Sequence, residues 1–173
     1  MRGNKILLRA LEPSDAEYIY RSENDSSIWR LSNTMTPISK FIIDEYIASS
    51  YNDIYSTKQL RLIIELTESK KVIGSIDLFD FDPINRRAGI GILIGDKSEQ
   101  KKGYASESLK ILIDYSFNTL NLHQLYCHIT TDNDSSINLF KQHDFQLAGK
   151  NVDWIFTGKN WLDAYFLQLI NKF

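Results

Sequence analysis

The stretch Gln100-Lys101-Lys102-Gly103-Tyr104-Ala105 holds the residues whose types and spacing are best suited to chemistry. It lies between an apolar run, Ile90-Gly91-Ile92-Leu93-Ile94, and a periodic helical segment beginning near Ser106. A strand that ends in a short basic, glycine-containing loop and opens a helix can hold a phosphate. The first backbone N–H groups of a helix have no partner within it, and the helix dipole favours an anion there. Gly103 lacks the Cβ that would keep a pyrophosphate from the backbone. Lys101 and Lys102 add positive charge beside it.

Other chemistry-bearing residues are less well arranged. Gly89 and Gly91 suggest a dinucleotide loop, but the third glycine is absent and the pair falls inside a strand. His123, His128 and His143 do not combine with Cys127 into a metal-ligand cluster. Cys127 and His128 are adjacent on a strand and point to opposite faces, which argues against a nucleophilic pair and for packing roles. Asp77, Asp80 and Asp82 are carboxylates near one end of a strand. Alternation puts Asp80 and Asp82 on one face and Asp77 on the other, unless a bulge intervenes. Asp77 is the weak candidate for a catalytic base among them, and a solvated strand-edge acid is the plainer reading.

The elements that must position these residues follow from periodicity. Ile6 to Leu8 reads as a strand, followed by a helix with Ser14 as N-cap and Glu17 closing a capping box. Residues Asn24 to Pro37 read as a polar loop. Ser39 caps a second helix with Phe41, Ile42, Tyr46 and Ile47 along one side. Strands are expected over Leu60 to Leu66, Val72 to Phe81 and Arg87 to Ile94. A helix then carries Ala105, Leu109, Leu112, Ile113, Phe117 and Leu120 at helical spacing. A strand from Gln124 to Thr130, a short helix from Asp132 to His143, and a closing hairpin of Val152 to Phe156 and Trp161 to Leu169 complete the chain. The order β-α-α-β-β-β-α-β-α-β-β describes one α+β domain spanning residues 1–173.

Composition narrows the partners. Twenty basic residues against 22 acidic ones give a net charge of −2, which argues against a broad nucleic-acid-binding surface. One cysteine excludes an intramolecular disulfide framework. No apolar run approaches the length of a membrane span, and the N-terminus leads directly into a strand. A cytoplasmic protein without membrane or nucleic-acid partners is expected.

This element order, with the loop where it stands, resembles the GNAT superfamily of acyl-CoA-dependent N-acetyltransferases. In that family a Gln/Arg-x-x-Gly-x-Gly/Ala pattern follows the fourth strand, and Gln100, Gly103 and Ala105 fit it. The opening Leu8-Arg9-Ala10-Leu11-Glu12 with Asp15-Ala16 is similar to the subgroup of spermidine and ribosomal-protein N-terminal acetyltransferases. So are Asn121-Leu122-His123, Tyr126, His128 and Asn133, and the Gly158 hairpin followed by Asp163.

The resemblance implies a mixed, mostly antiparallel sheet flanked by helices and splayed between the fourth and fifth strands. It implies acetyl-CoA as acyl donor, with Lys101, Lys102, Gly103, Tyr104, Ala105 and Ser106 around the pyrophosphate. Leu93 and Ile94 would offer backbone groups to pantetheine, one N–H stabilising the oxyanion, and Asn133 would contact pantetheine from across the splay. The implied partner is an amine, on a small molecule or a protein N-terminus, and a homo-oligomer is left open. The aromatic residues Trp154, Phe156 and Trp161, with Trp29, are candidates to line the acceptor cleft.

Two positions depart from the family pattern. The tyrosine that protonates the leaving thiolate is Phe140 here, and the glutamate eleven residues before the motif glutamine is Gly89. A thiolate of pKa about 8.5 can take its proton from water at a penalty of roughly 2 kcal/mol. An alkylammonium of pKa about 10.4 costs about 4.6 kcal/mol to deprotonate at neutral pH, whereas an α-amine near 8 costs about 1.4. The missing base is the more serious gap. The sequence therefore suits a low-pKa amine such as a peptide N-terminus. A spermidine or diamine acceptor is the first alternative, and an acyl-CoA-binding module without catalysis is the second.

Overall fold

Strands with alternating apolar residues build a single sheet around which the helices pack. The computed structural model describes residues 1–29, 36–50 and 52–172. The described elements are β1 (Ile6–Arg9), α1 (Ala16–Glu23), α2 (Lys40–Ala48), α3 (Ile54–Thr57), β2 (Leu60–Leu66), β3 (Val72–Asp82), β4 (Arg87–Ile94), α4 (Tyr104–Asn118), β5 (Gln124–Thr130), α5 (Asp134–Lys141), β6 (Gln146–Phe156) and β7 (Trp161–Ile170). The sheet runs β1-β2-β3-β4-β5-β7-β6. Every neighbouring pair is antiparallel except β4 and β5. A parallel pair needs a crossover, and α4 supplies it.

The two sheet faces bury different things. Ile64, Ile76, Leu78 and Ile90 pack with Leu109 and Leu112 of α4 in the main core. Ile63 packs with Ile19 of α1 and Ile43 and Ile47 of α2 in a second core. Each of these side chains is buried, and burial of one Leu or Ile stabilises the fold by about 1.5–3 kcal/mol.

The β4–β5 pair is the structural key to the site. It pairs Arg87 with Gln124, Ala88 with Leu125 and Gly89 with Tyr126, and then stops, although the strands continue to Ile94 and Thr130. The expected splay between the fourth and fifth strands is present, and it begins one step past Gly89.

Arg9 of the opening motif is a clamp. Its Nη1 and Nη2 donate to the two Asp15 oxygens at 2.7 and 2.8 Å, and its Nε donates to Glu65 at 2.6 Å. The clamp ties β1 and β2 to the turn that leads into α1.

Several local expectations are corrected. A 3₁₀ turn, Pro13–Asp15, precedes α1, and Glu12 with Asp15 forms the capping box there; Ser14 and Glu17 do not. Ser39 does cap α2, accepting from the Ile42 N–H, but the buried face is Ile43 and Ile47. Phe41 and Ile42 are exposed, because the i,i+4 spacing that meets α1 is set by 43 and 47. β6 begins at Gln146, well before Val152, since an exposed edge strand carries little apolar alternation. Within the expected loop from Asn24 to Pro37, residues 30–35 lie outside the described ones.

Candidate active site

Where β4 and β5 part, a cleft of about 540 Å³ opens. β4 lines it with Ile90 to Leu93, β5 with Cys127 to Thr130, and α5 with Asn133, Ser136 and Phe140. β3, β2 and α1 add Asp77, Phe79, Arg61 and Glu23, and β6 adds Trp154. Register explains which of these share a face. Asp77 is paired with Gly91, and Phe79 with Gly89. Gly89 is in turn paired with Tyr126, and His128 lies two residues further along β5, on the same face. Across the α1 side of the sheet there is thus a row Phe79–Gly89–Tyr126, and beyond it, where the strands part, Asp77, Gly91 and His128 line the cleft.

The two glycines behave differently. A Cβ on Gly89 would meet the Phe79 ring at 2.1 Å, so that ring fills the space into which a side chain at 89 would project. A Cβ on Gly91 would meet only Phe79 Cε1, at 3.7 Å, an ordinary contact. The first position is closed and the second is open. Gly89 is therefore more than an absent glutamate, because its position has been taken by an aromatic ring.

Asp77 is not the solvated strand-edge acid expected. β3 is an interior strand, and the carboxylate is four-fifths buried. It accepts from Arg61 Nε at 2.7 Å, while Arg61 Nη1 donates to Glu23 at 2.6 Å. Burial raises the Asp77 pKa above its ordinary value, and the charge and hydrogen bonds of Arg61 only partly offset this. The simple alternation of the three acids also fails. Asp80 has φ +49 and the β3–β4 register shifts between Phe79 and Asp82. This bulge buries Phe81 with Leu78 and turns Asp82 to the Asp77 face. Asp80 and Asp82 then line a second hollow of about 430 Å³ with Arg87, Gln124, Tyr126, His128 and Gln168.

The glycine loop lies beyond the end of β4. Gly103 is the N-cap of α4 with φ +88, and no side chain caps the helix. A Cβ there meets nothing within 4 Å, and no side-chain cap engages the first N–H groups of α4. Lys101 also takes a positive φ, +62. Gln100 Nε2 donates to the Ile94 carbonyl at 2.9 Å and so fastens the loop to the strand end. Asp96, Glu99 and Lys71 brace the loop's base, with Lys71 Nζ at 2.6 Å from Asp96 and 3.1 Å from Glu99. Their lysine and serine hydrogen bonds hold the Asp96 carboxyl far below the usual range.

Not every expected site residue meets the others. Leu93 and Asn133 both line the cleft. Ile94 stands at the root of the loop with its carbonyl engaged by Gln100. Lys102 is paired with Glu99 at 2.8 Å, which counters its charge, and Tyr104 packs on the main core. Asn133 caps α5 by accepting from the Ser136 N–H at 3.1 Å. Ser106 Oγ lies 2.8 Å from His143 Nε2, joining the first turn of α4 to the end of α5. Phe140 is buried edge-on against Phe145, 5.0 Å between centroids.

One side of the cleft has an aromatic wall. Tyr126, His128 and Phe166 form a chain of ring contacts, and Trp154 stacks on His128 at 6.2 Å. Of the hairpin aromatics, Trp154 lines the cleft, whereas Phe156 and Trp161 pair with each other on the surface. Trp29 donates through Nε1 to the Glu23 carbonyl at 2.8 Å. Cys127 points into the core, and burial pushes its thiol up to about 12, so it is no nucleophile. His128 was expected in a packing role; it lies just past the point where the expected splay begins, and so it is exposed to the cleft.

Comparison with known proteins agrees with this geometry. Residues 5–146 match the family model described as the acetyltransferase (GNAT) domain. Spermidine N(1)-acetyltransferase of Vibrio cholerae is 29% identical over 172 residues, covering 96% of this chain and 95% of that protein. The putative ribosomal N-acetyltransferase YdaF of Bacillus subtilis is 26% identical over 171 residues, covering 96% and 92%. Among solved structures, the V. cholerae spermidine N-acetyltransferase in complex with CoA and spermine superposes with a TM-score of 0.86 at 26% identity, covering 97% of this chain and 96% of that one. The chain belongs to the GNAT acetyltransferase family.

Proposed function

With that membership as premise, we propose that the protein is an N-acetyltransferase that moves an acetyl group from acetyl-CoA to a primary amine by direct attack. The observation that carries this is the β4–β5 split, beginning one step past Gly89 and Tyr126, with an uncapped helix N-terminus beyond the end of β4. The residues present fit the donor. The open cradle at Gly103 leaves room for a pyrophosphate against the α4 N–H groups. Backbone along Ile90 to Leu93, freed from pairing with β5, can hold an extended pantetheine chain as a strand edge holds a peptide. A backbone N–H from that edge would stabilise the oxyanion as the amine attacks, and the thiolate would take its proton from water in place of a tyrosine. Asn133, with its side-chain oxygen already accepting from Ser136, retains the amide N–H groups to donate to the donor from the α5 side.

The acceptor would enter on the α1 side, over Gly91. There Glu23, Arg61 and Asp77 sum to one negative charge, and the carboxylates are already engaged by the guanidinium. This supports a singly charged amine, on a peptide N-terminus or a small molecule. A second reading is a spermidine-like acceptor. It is favoured by Asp80 in the adjoining hollow and by the relatives named for that substrate. A V. cholerae relative is described as dodecameric, and a homo-oligomer is proposed here on that likeness.

Release of CoA from acetyl-CoA, followed with a thiol reagent across N-terminal peptides, monoamines, spermidine and spermine, tests the reading. Amine-dependent release, fastest with amines of low pKa, is the expected outcome. Fastest turnover of spermidine would select the second reading. Tight acetyl-CoA binding without release for any amine would indicate a binding module.

A further inference from the structure

The closed Gly89 row and the buried Phe140 leave the reaction without its usual proton-handling side chains, yet an ammonium must lose a proton before it can attack. Two ionisable residues flank the open slot at Gly91: Asp77 on β3 and His128 on β5. They differ in how free they are. Asp77 is tied to Arg61 at 2.7 Å, and that buried cation both occupies the carboxylate and repels an incoming ammonium. His128 stands exposed on the opposite wall, with no ion pair among the described residues.

The surroundings of His128 suit a base. Trp154 stacks on its ring at 6.2 Å with 20° between planes, and Phe166 lies at 4.9 Å, so the imidazole is held in one orientation. Asn151 Nδ2 lies 3.3 Å from Nδ1; with the carboxamide turned end for end, its oxygen would accept the Nδ1–H and leave Nε2 as the open acceptor. His128 also lines both the cleft and the second hollow. In that hollow the Tyr126 hydroxyl lies 3.3 Å from Asp80.

We infer that His128 is the general base of the transfer, taking the acceptor ammonium's proton at the slot over Gly91 and passing it to water through the Asp80–Tyr126 hollow. The inference rests on the acetyltransferase reading. In the step, the N–H bond of the ammonium breaks and its proton goes to the imidazole. The freed nitrogen lone pair forms the C–N bond, the C–S electrons leave with the thiolate, and the second nitrogen proton, acidic once the nitrogen is acylated, passes by way of water to that thiolate. The imidazolium then returns its proton to water.

Protonation of the ring is set by this face. Asp77, Asp80 and Asp82 on β3, Arg61 on β2, Arg87 on β4, Tyr126 on β5 and Glu23 on α1 are its charged and titratable groups among the described residues. β6 and β7 bring Asn151, Trp154, Phe166 and Gln168, which do not titrate. Partial burial lowers the His128 pKa below its ordinary value, so the ring is neutral and able to accept a proton at neutral pH.

The test compares the wild-type protein with His128→Gln and His128→Ala, using the amine that gives fastest CoA release. Acetyl-CoA affinity, by calorimetry, should be unchanged in both variants, which also reports that they fold. The wild-type kcat/KM should fall on an acid limb centred below about 6.5, the ordinary histidine value. In the variants kcat/KM should drop about 100-fold at neutral pH and lose that limb, and added imidazole should restore activity to His128→Ala. Variant activity within threefold of wild type, or a loss that imidazole does not restore, overturns the assignment. A wild-type protein that binds acetyl-CoA but releases CoA to no amine overturns instead the acetyltransferase reading on which it rests.

Discussion

The donor half and the acceptor half of this site are built from different materials. Around Gln100 to Ser106 the proposed working groups are main-chain N–H groups, and side chains such as Gln100, Asp96 and Glu99 hold the loop in shape. Around Gly91 the proposed working groups are side chains from separate strands that line one cleft. A backbone-built half depends on conformation and tolerates changes of side chain. A half built from side chains can change its chemistry while the fold stays the same, and here Phe79 and Phe140 have done so.

Filling the open slot separates the halves most sharply. Gly91→Leu should lower kcat/KM for the amine by about 100-fold, since displacement of a reactant by an ångström has that effect. Acetyl-CoA affinity by calorimetry should barely move; an equal loss of both would mean that the halves are not separable.

Removing the buried cation comes next. Arg61→Met leaves Asp77 and Glu23 without their partner and should cost about 2–3 kcal/mol in urea denaturation at neutral pH, somewhat less than for a fully buried pair. The pH dependence has a definite sign. Burial already holds the Asp77 pKa above its unfolded value, and loss of Arg61 raises it further. Such a group stabilises the fold below its unfolded pKa and loses that contribution as pH rises through the folded one. The variant should therefore be closer to wild type near pH 4 and lose ground as pH rises towards neutrality. A constant difference across that range would contradict this.

The donor half should respond to conformation. Gly103→Val places a β-branched residue at φ +88, at a cost of about 1–2 kcal/mol, and obstructs the phosphate cradle. Acetyl-CoA affinity should fall about tenfold with the KM for the amine unchanged. The smallest effect is expected at the loop's brace. Asp96→Asn weakens the pairing with Lys71, and solvent and salt screen an exposed pair of this kind. Acetyl-CoA affinity should fall about twofold in low salt and less in high salt.

The same contrast explains what could be read from the sequence. The helix of Leu109 and Leu112, the strand from Arg87 to Ile94 and the glycine before a helix are local patterns with local causes, so the fold and the place of the glycine loop followed from them. The acceptor half depends on register. Nothing local announces that Phe79 lies over Gly89, or that Asp80 forms a bulge which turns Asp82 onto the face of Asp77. His128 looked like a packing residue because its exposure depends on β5 leaving β4 one step earlier. Phe41 and Ile42 misled in a similar way: an apolar residue reports a buried face only when another element covers it.

The central claim is transfer of acetyl from acetyl-CoA to an amine within one ternary complex. Initial rates of CoA release, measured while acetyl-CoA and amine are varied together, test it most directly. Intersecting double-reciprocal lines and no CoA burst without amine are expected. Parallel lines with an amine-independent burst would contradict it, because they require a covalent acetyl-enzyme.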